Sequence, residues 1–328
     1  MTDQRLERGS AMTPVVPGAA VAPASTTEEE QALGLVYEHG LEVAVRSQWS
    51  YARTRFLRHR LAMGSLVIFV FIMVAGALAS WIAPHRFDAP NFLLGIHGPT
   101  AAHPFGTDVL GRDLFSRVIY GIRTTEQIAL LVAVLSVAIG TAIGAVAGYF
   151  GGWVDNLLMR FVDLVLTLPP LAILLTIAAF LRSPHPWVIA LILAAIFWTV
   201  LARIVRGQFL ALREKEYVEA AKAAGAGDIR IMIRHMLPNT LGPIIVNGTL
   251  TLGAAVLTEA YLSFLGFGIQ PPTAALGKLI ADGQDAGSGA WWLTIFPGLT
   301  IVIIVLCVNF VGDGLRDALD PTQRKVRA

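Results

Sequence analysis

Seven histidines, one cysteine and a few acids in apolar surroundings are the residues from which this chain could build chemistry. No Gly-x-x-x-x-Gly-Lys-Ser/Thr occurs, and Gly277-Lys278 is followed by Leu279, so the chain has no phosphate cradle of its own. A Ser-nucleophile elbow, a His-Glu-x-x-His pair and a cluster of membrane carboxylates are also missing, which argues against an enzyme. His97, His103, Asp108 and Asp113 lie near one another, yet no pair recurs at a ligand interval on one helix face, and Pro104, Gly106 and Gly111 mark turns. No metal site is expected there. Asp108, Arg112 and Asp113 should instead form a salt-bridged cap on an interfacial helix over residues 114–125. Cys307 sits inside an apolar run and reads as a small core residue. Glu259, an acid at membrane depth, is a candidate for pathway or subunit contact, and Asn247 and Asn309 are candidates for bonds across helices.

The most chemically suggestive stretch is a polar one between two long apolar runs, residues 207–239. Good helix formers fill residues 210–224, with Glu219 three residues before Lys222. Gly225 and Gly227 can take positive φ and end that helix, Asp228 can cap a second short one, and Pro238 should stop it. Two short helices at a glycine corner, flanked by Ala220, Ala221, Ala223 and Ala224, make a flat surface for a partner.

The elements that must position this corner are membrane spans. Hydrophobic residues make up 55% of the 328 and charged ones only 15%, with a mean hydropathy of +0.63, the composition of an all-α polytopic membrane protein. Six transmembrane helices are expected, at about residues 61–84, 128–149, 157–181, 187–205, 241–267 and 291–311. Residues 85–126 form the loop after the first, and a five-helix core fills 127–313. Residues 1–35, rich in Pro, Ser and Thr, read as a disordered tail without a cleavable signal, and 314–328 as a second tail. Residues 36–60, with arginines among aromatics, read as an amphipathic helix on the membrane surface rather than a nucleic-acid site. With the N-terminus inside, 19 of the 25 Lys and Arg fall on the cytoplasmic side against 6 outside. That places both termini and the polar corner in the cytoplasm and the 85–126 loop outside. Gly140, Gly144 and Gly148 align a groove for close helix packing, and Pro169-Pro170 should break the third helix, as a cavity-lining break or an ordinary kink.

At the polar corner the chain resembles the inner-membrane permease subunits of binding-protein-dependent ABC importers. Their signature reads Glu-Ala-Ala, three residues, Gly, nine residues, Ile, one residue, Leu-Pro. Glu219-Ala220-Ala221, Gly225 and Leu237-Pro238 stand in register, with His235 in the Ile place. The segments beginning His103-Pro104-Phe105-Gly106, Thr258-Glu259-Ala260-Tyr261 and Gly312-Asp313-Gly314-Leu315 are similar to the dipeptide, oligopeptide and nickel branch. The resemblance implies a MetI-like fold in the bacterial inner membrane. Its implied partners are a homologous second permease, two cytoplasmic ATPases that hold the ATP and Mg, and a periplasmic binding protein; this chain would bind no cofactor. Glu219 would pair with a basic residue of an ATPase, Ala220 and Ala221 would give close contact, Gly225 would set the corner, and His235, Leu237 and Pro238 would complete the coupling element. The alternative from another class is an ion- or proton-coupled secondary carrier, for which Glu259 and Asp163 are the relay candidates.

Overall fold

The computed structural model describes residues 48–181 and 185–319. The expected tail at 1–35, the part of the surface helix before Gln48 and the last nine residues lie outside them. Every regular element among the described residues is helical. Five helices are long and apolar enough to cross a membrane, or six if one bent pair counts as a single span.

Helix α1 (Gln48–Arg58) ends at His59, whose Nδ1 accepts the Ala62 N–H at 3.1 Å and caps α2 (Arg60–Ala77). The first span is shorter than its apolar run. It breaks at Leu78, and one further turn, α3 (Ala79–Ile82), precedes Pro84. Large apolar side chains exposed on this segment include Val67, Phe71 and Trp81.

Helix α4 (Leu114–Phe150) runs 37 residues without interruption. At about 1.5 Å per residue it outreaches any bilayer core. The expected division into an interfacial helix and a separate span does not exist. No Gly or Pro lies between Gly121 and Gly140, and the polar patch Arg123-Thr124-Thr125-Glu126-Gln127 is itself helical.

Helix α4 is the mast on which the others lean. Helix α7 (Pro186–Arg213) packs along its glycine row: a Cβ built on Gly140 would stand 2.6 Å from the Trp198 carbonyl oxygen, and one on Gly148 2.6 Å from Phe209 Cβ, with the Ala202 carbonyl blocking Gly144. Backbones approach because no side chain intervenes.

Between them the third apolar run is α5 (Gly152–Thr167) and α6 (Pro170–Leu181), bent by 79°. The expected break at the proline pair is there. Pro169-Pro170 removes two consecutive donors, so the helix restarts in a new direction. Arg206 Nη2 to Asp155 Oδ2 at 2.6 Å, and an Arg203–Asp163 ion pair, tie α5 to α7.

The remaining elements are α8 (Glu216–Ala223), α9 (Asp228–Arg230) with the π turn Ile231–Met236, α10 (Leu237–Phe264), α11 (Leu276–Asp285), a 3-10 turn (Ser288–Ala290) and α12 (Trp292–Leu319). The expected tail from 314 is helical through Leu319, and Gly314 packs against Ala62 of α2, whose Cβ leaves no room for one built there, with Phe56 of α1 beside it. Leu114, Val118, Ile128, Ala190, Val256, Leu276 and Ile304 belong to one buried core shared by α4, α7, α10, α11 and α12. Gly277 faces the Ala260 carbonyl, leaving no room for a Cβ, and Lys278 bonds Asp282 at 2.8 Å, so this Gly-Lys pair serves packing.

Candidate functional site

The polar corner is built as a helix stop of the Schellman type. Gly225 has φ +80, its N–H bonds the Lys222 carbonyl at 2.9 Å, and Ala226 N–H reaches back to the Ala221 carbonyl at 3.0 Å. Ala221 and Ala226 pack half-buried on an apolar cluster that includes Tyr149, Val205, Phe209, Val218, Ile231 and Met236. Val218 is the anchor, fully buried. The opposite face is open: Glu216, Glu219, Ala220, Lys222, Ala223, Ala224 and Gly225 are exposed.

Asp228 does not cap the second helix. Gly227 takes that position, and Asp228 Oδ1 accepts the Tyr149 hydroxyl at 2.6 Å. Lys222 does not pair with Glu219 among the described residues; its ammonium stands 5.3 Å over the Tyr149 ring. Arg213 Nη1 donates to the Tyr149 carbonyl at 3.1 Å. The foot of α4 is thus tied to α7 and to both sides of the glycine corner.

Pro238 does not stop the helix either. It lies in the first turn of α10, and the π turn before it absorbs the missing donor: Leu237 N–H bonds the Met232 carbonyl, five residues back, so the pairing shifts before the proline. Asn239 Nδ2 donates to the His235 carbonyl at 2.7 Å. It also lies 3.4 Å from the Tyr217 hydroxyl, whose pKa partial burial raises and this amide opposes. His235 and Leu237 are half-buried and Pro238 is exposed.

Sequence reasoning missed three residues here. Tyr149 belongs to a span by composition, and only the fold brings it to Asp228. Ile229 and Ile233 are 68% and 60% exposed, apolar side chains one helical turn apart beside the corner. Together with Tyr217, 41% exposed, they are apolar surface a partner could cover.

The other candidates lie away from the corner. Glu259 is fully buried near the far end of α10, where its carboxylate accepts the Thr125 hydroxyl at 2.8 Å and the Ser263 hydroxyl at 2.7 Å. Both of its carboxylate oxygens are bonded within its own chain. Asp163 pairs with Arg203 on α7. Asn309 Oδ1 lies beside Gly253, 3.4 Å from where a Cβ would stand, at the contact of α10 and α12, while Asn247 is half-buried. A further acid, Glu126, is buried against Gly76 with Oε1 unpartnered among the described residues. The signal was present, a charge two residues before an apolar run.

In the loop after α3, Asp108 accepts Arg112 Nε at 2.7 Å and lies 3.4 Å from Arg117, and Asp113 caps α4 through Ser116 N–H at 2.8 Å. The Asp108–Arg112 part of the expected salt-bridged cap is there, while Asp113 pairs with His103.

Comparison with known proteins bears on the family and the fold. The oligopeptide transport system permease protein OppC of Mycobacterium tuberculosis is 39% identical over 274 residues, covering 83% of this chain and 94% of that protein. The dipeptide transport system permease protein DppC of Alkalihalophilus pseudofirmus is 37% identical over 278 residues, covering 85% and 91%. A solved chain of the MetNI methionine ABC transporter, in an inward-facing conformation, shares the fold with a TM-score of 0.50 at 21% identity, covering 63% of this chain and 98% of its own. Residues 47–96 match the N-terminal transmembrane domain of oligopeptide transport permease C. Residues 140–325, more than half of the chain and including the whole polar corner, match the binding-protein-dependent transport system inner membrane component, and it is to this permease family that the chain belongs.

Proposed function

We propose that this permease moves peptides across the bacterial inner membrane, paired with a homologous second permease, and is driven through the Glu219 corner by two cytoplasmic ATPases. The observation that carries the reading is the corner itself. It couples an exposed, small-residue flank at Ala220, Ala223 and Ala224 to a rigid base in which Tyr149, Val218 and Phe209 join α4, α7 and α8. A push on the flank is delivered to the spans because the helix stop is hydrogen-bonded and its underside is packed. The named functions of the relatives, oligopeptide and dipeptide transport, support the cargo class.

Tilting α7 and α10 by this handle would alternate access to a cavity between the two permeases, with cargo delivered by a periplasmic binding protein. The chain contributes no nucleotide site. The test is reconstitution of the chain with its neighbouring permease, ATPases and binding protein in proteoliposomes. Labelled di- and oligopeptides should enter only with ATP, and a cysteine placed at Ala220 should crosslink to an ATPase. Peptide uptake by the permeases alone, driven by a proton gradient, would overturn the reading in favour of a secondary carrier.

A further inference from the structure

The loop between α3 and α4 brings together three side chains that no spacing in the sequence connects. Ligand atoms of His85, His103 and Asp113 lie within 4.8 Å of one another. His103 Nδ1 is 2.9 Å from Asp113 Oδ1, and the two imidazoles face each other with centroids 4.7 Å apart. We propose that these residues bind a divalent transition-metal ion of the zinc type, which clips the loop to the first turn of α4.

The chemistry fits. Two imidazoles and a carboxylate are a usual donor set for such an ion, with a water completing a tetrahedron. Ligands at about 2.0–2.2 Å from a tetrahedral zinc stand roughly 3.4 Å from each other, so the existing pair is near ligand spacing and the third group, within 4.8 Å, has up to about 1.4 Å to close.

The donors are also held. Asp113 is buried, and its second oxygen is fixed by Ser116 N–H at 2.8 Å. His103 is fixed by a turn in which its N–H bonds Thr100 Oγ1 at 3.1 Å and its carbonyl accepts Thr100 N–H at 2.9 Å and Gly106 N–H at 2.8 Å. The Ala102 carbonyl, 3.2 Å from His85 Nε2, orients the exposed ring, as outer carbonyls do for ligating histidines. His85 is the side an ion and its water would reach.

Electrostatics do not forbid it. The start of α4 adds about half a positive charge, which the Asp113 carboxylate offsets. Asp108, by contrast, is committed to Arg112 and Arg117 and stays out of the donor set. A hydrogen-bonded His103–Asp113 pair alone would serve as a cap, but nothing in such a cap needs an imidazole at position 85.

The experiment uses the full chain in nanodiscs with any affinity tag removed, titrated with zinc against a chromophoric chelator. One equivalent should bind, and zinc should raise the melting temperature. His85→Ala, at an exposed position, should weaken binding at least about tenfold and abolish the thermal shift, and His103→Gln, which can keep a bond to Asp113, should do the same. Equal zinc binding by the parent chain and the His85→Ala variant would overturn the proposal. Transport is not read, so the result is independent of the coupling mechanism.

Discussion

Gly225 and Glu259, from two separate family-like segments, show how differently single residues can work. At Gly225 there is open space, since nothing lies within 4 Å of a built Cβ, and the whole constraint is the backbone at φ +80. A β-branched residue in that region costs about 1–3 kcal/mol, whereas Asn tolerates it. Gly225→Val should therefore reduce ATP-driven uptake below a tenth of the parent value with the subunit still in the membrane and the binding protein's cargo affinity unchanged, while Gly225→Asn should keep at least half. Equal activity of both variants would show that the corner need not be rigid. Glu259 is the reverse case, where the constraint is its partners. Leaving the Thr125 and Ser263 hydroxyls without their acceptor in a buried site costs about 1–3 kcal/mol. Glu259→Ala should lower the melting temperature of the purified assembly by several degrees, and Glu259→Gln, which still offers an acceptor and a donor to the two hydroxyls, should retain uptake within about twofold. Loss of uptake in Glu259→Gln at an unchanged melting temperature would make the charge itself functional.

At the scale of elements, the sequence announced most of the helices and missed how they join. Long uncharged runs mark spans because a bilayer demands them, and the row Gly140, Gly144, Gly148 announced the α4–α7 contact because only small residues let backbones meet. Gly144→Val should disrupt that contact, overpacking it by at least about 1–3 kcal/mol, and show as a lower melting temperature before any transport is measured. The joints were less legible. That Pro238 would be absorbed by a π turn depends on a register shift at Leu237, five residues from its acceptor, which no residue type encodes. That Asp228 would bond Tyr149 rather than cap its own helix depends on residues 79 apart in sequence. Tyr149→Phe isolates this joint: the ring stays beneath Lys222 and only the hydroxyl bond to the Asp228 carboxylate, worth about 1.5–3 kcal/mol, is lost. We expect the assembly to hydrolyse ATP at near the parent rate while moving severalfold less cargo per ATP. An unchanged transport-to-hydrolysis ratio would leave the bond a matter of stability alone.

For the whole molecule, the deciding quantity is which way the bundle faces. The coupling proposal needs the Glu219 corner in the cytoplasm and the His103 loop outside, and the asymmetry of 19 basic residues against 6 argues for that orientation. The structure makes the test clean. The only cysteine, Cys307, is buried in α12, so the background of thiol labelling is low. Ile233, 60% exposed beside the corner, and Arg86, whose side chain is 80% exposed in the loop after α3, are at the surface and outside the core. In intact spheroplasts a membrane-impermeant maleimide should label Arg86→Cys and spare Ile233→Cys, and in inside-out vesicles the pattern should reverse. The ATPases, which work where ATP is made, can reach the corner only in that arrangement. If Ile233→Cys is labelled from the periplasmic face, the corner cannot be the handle by which they move the spans, however well its packing suits that task.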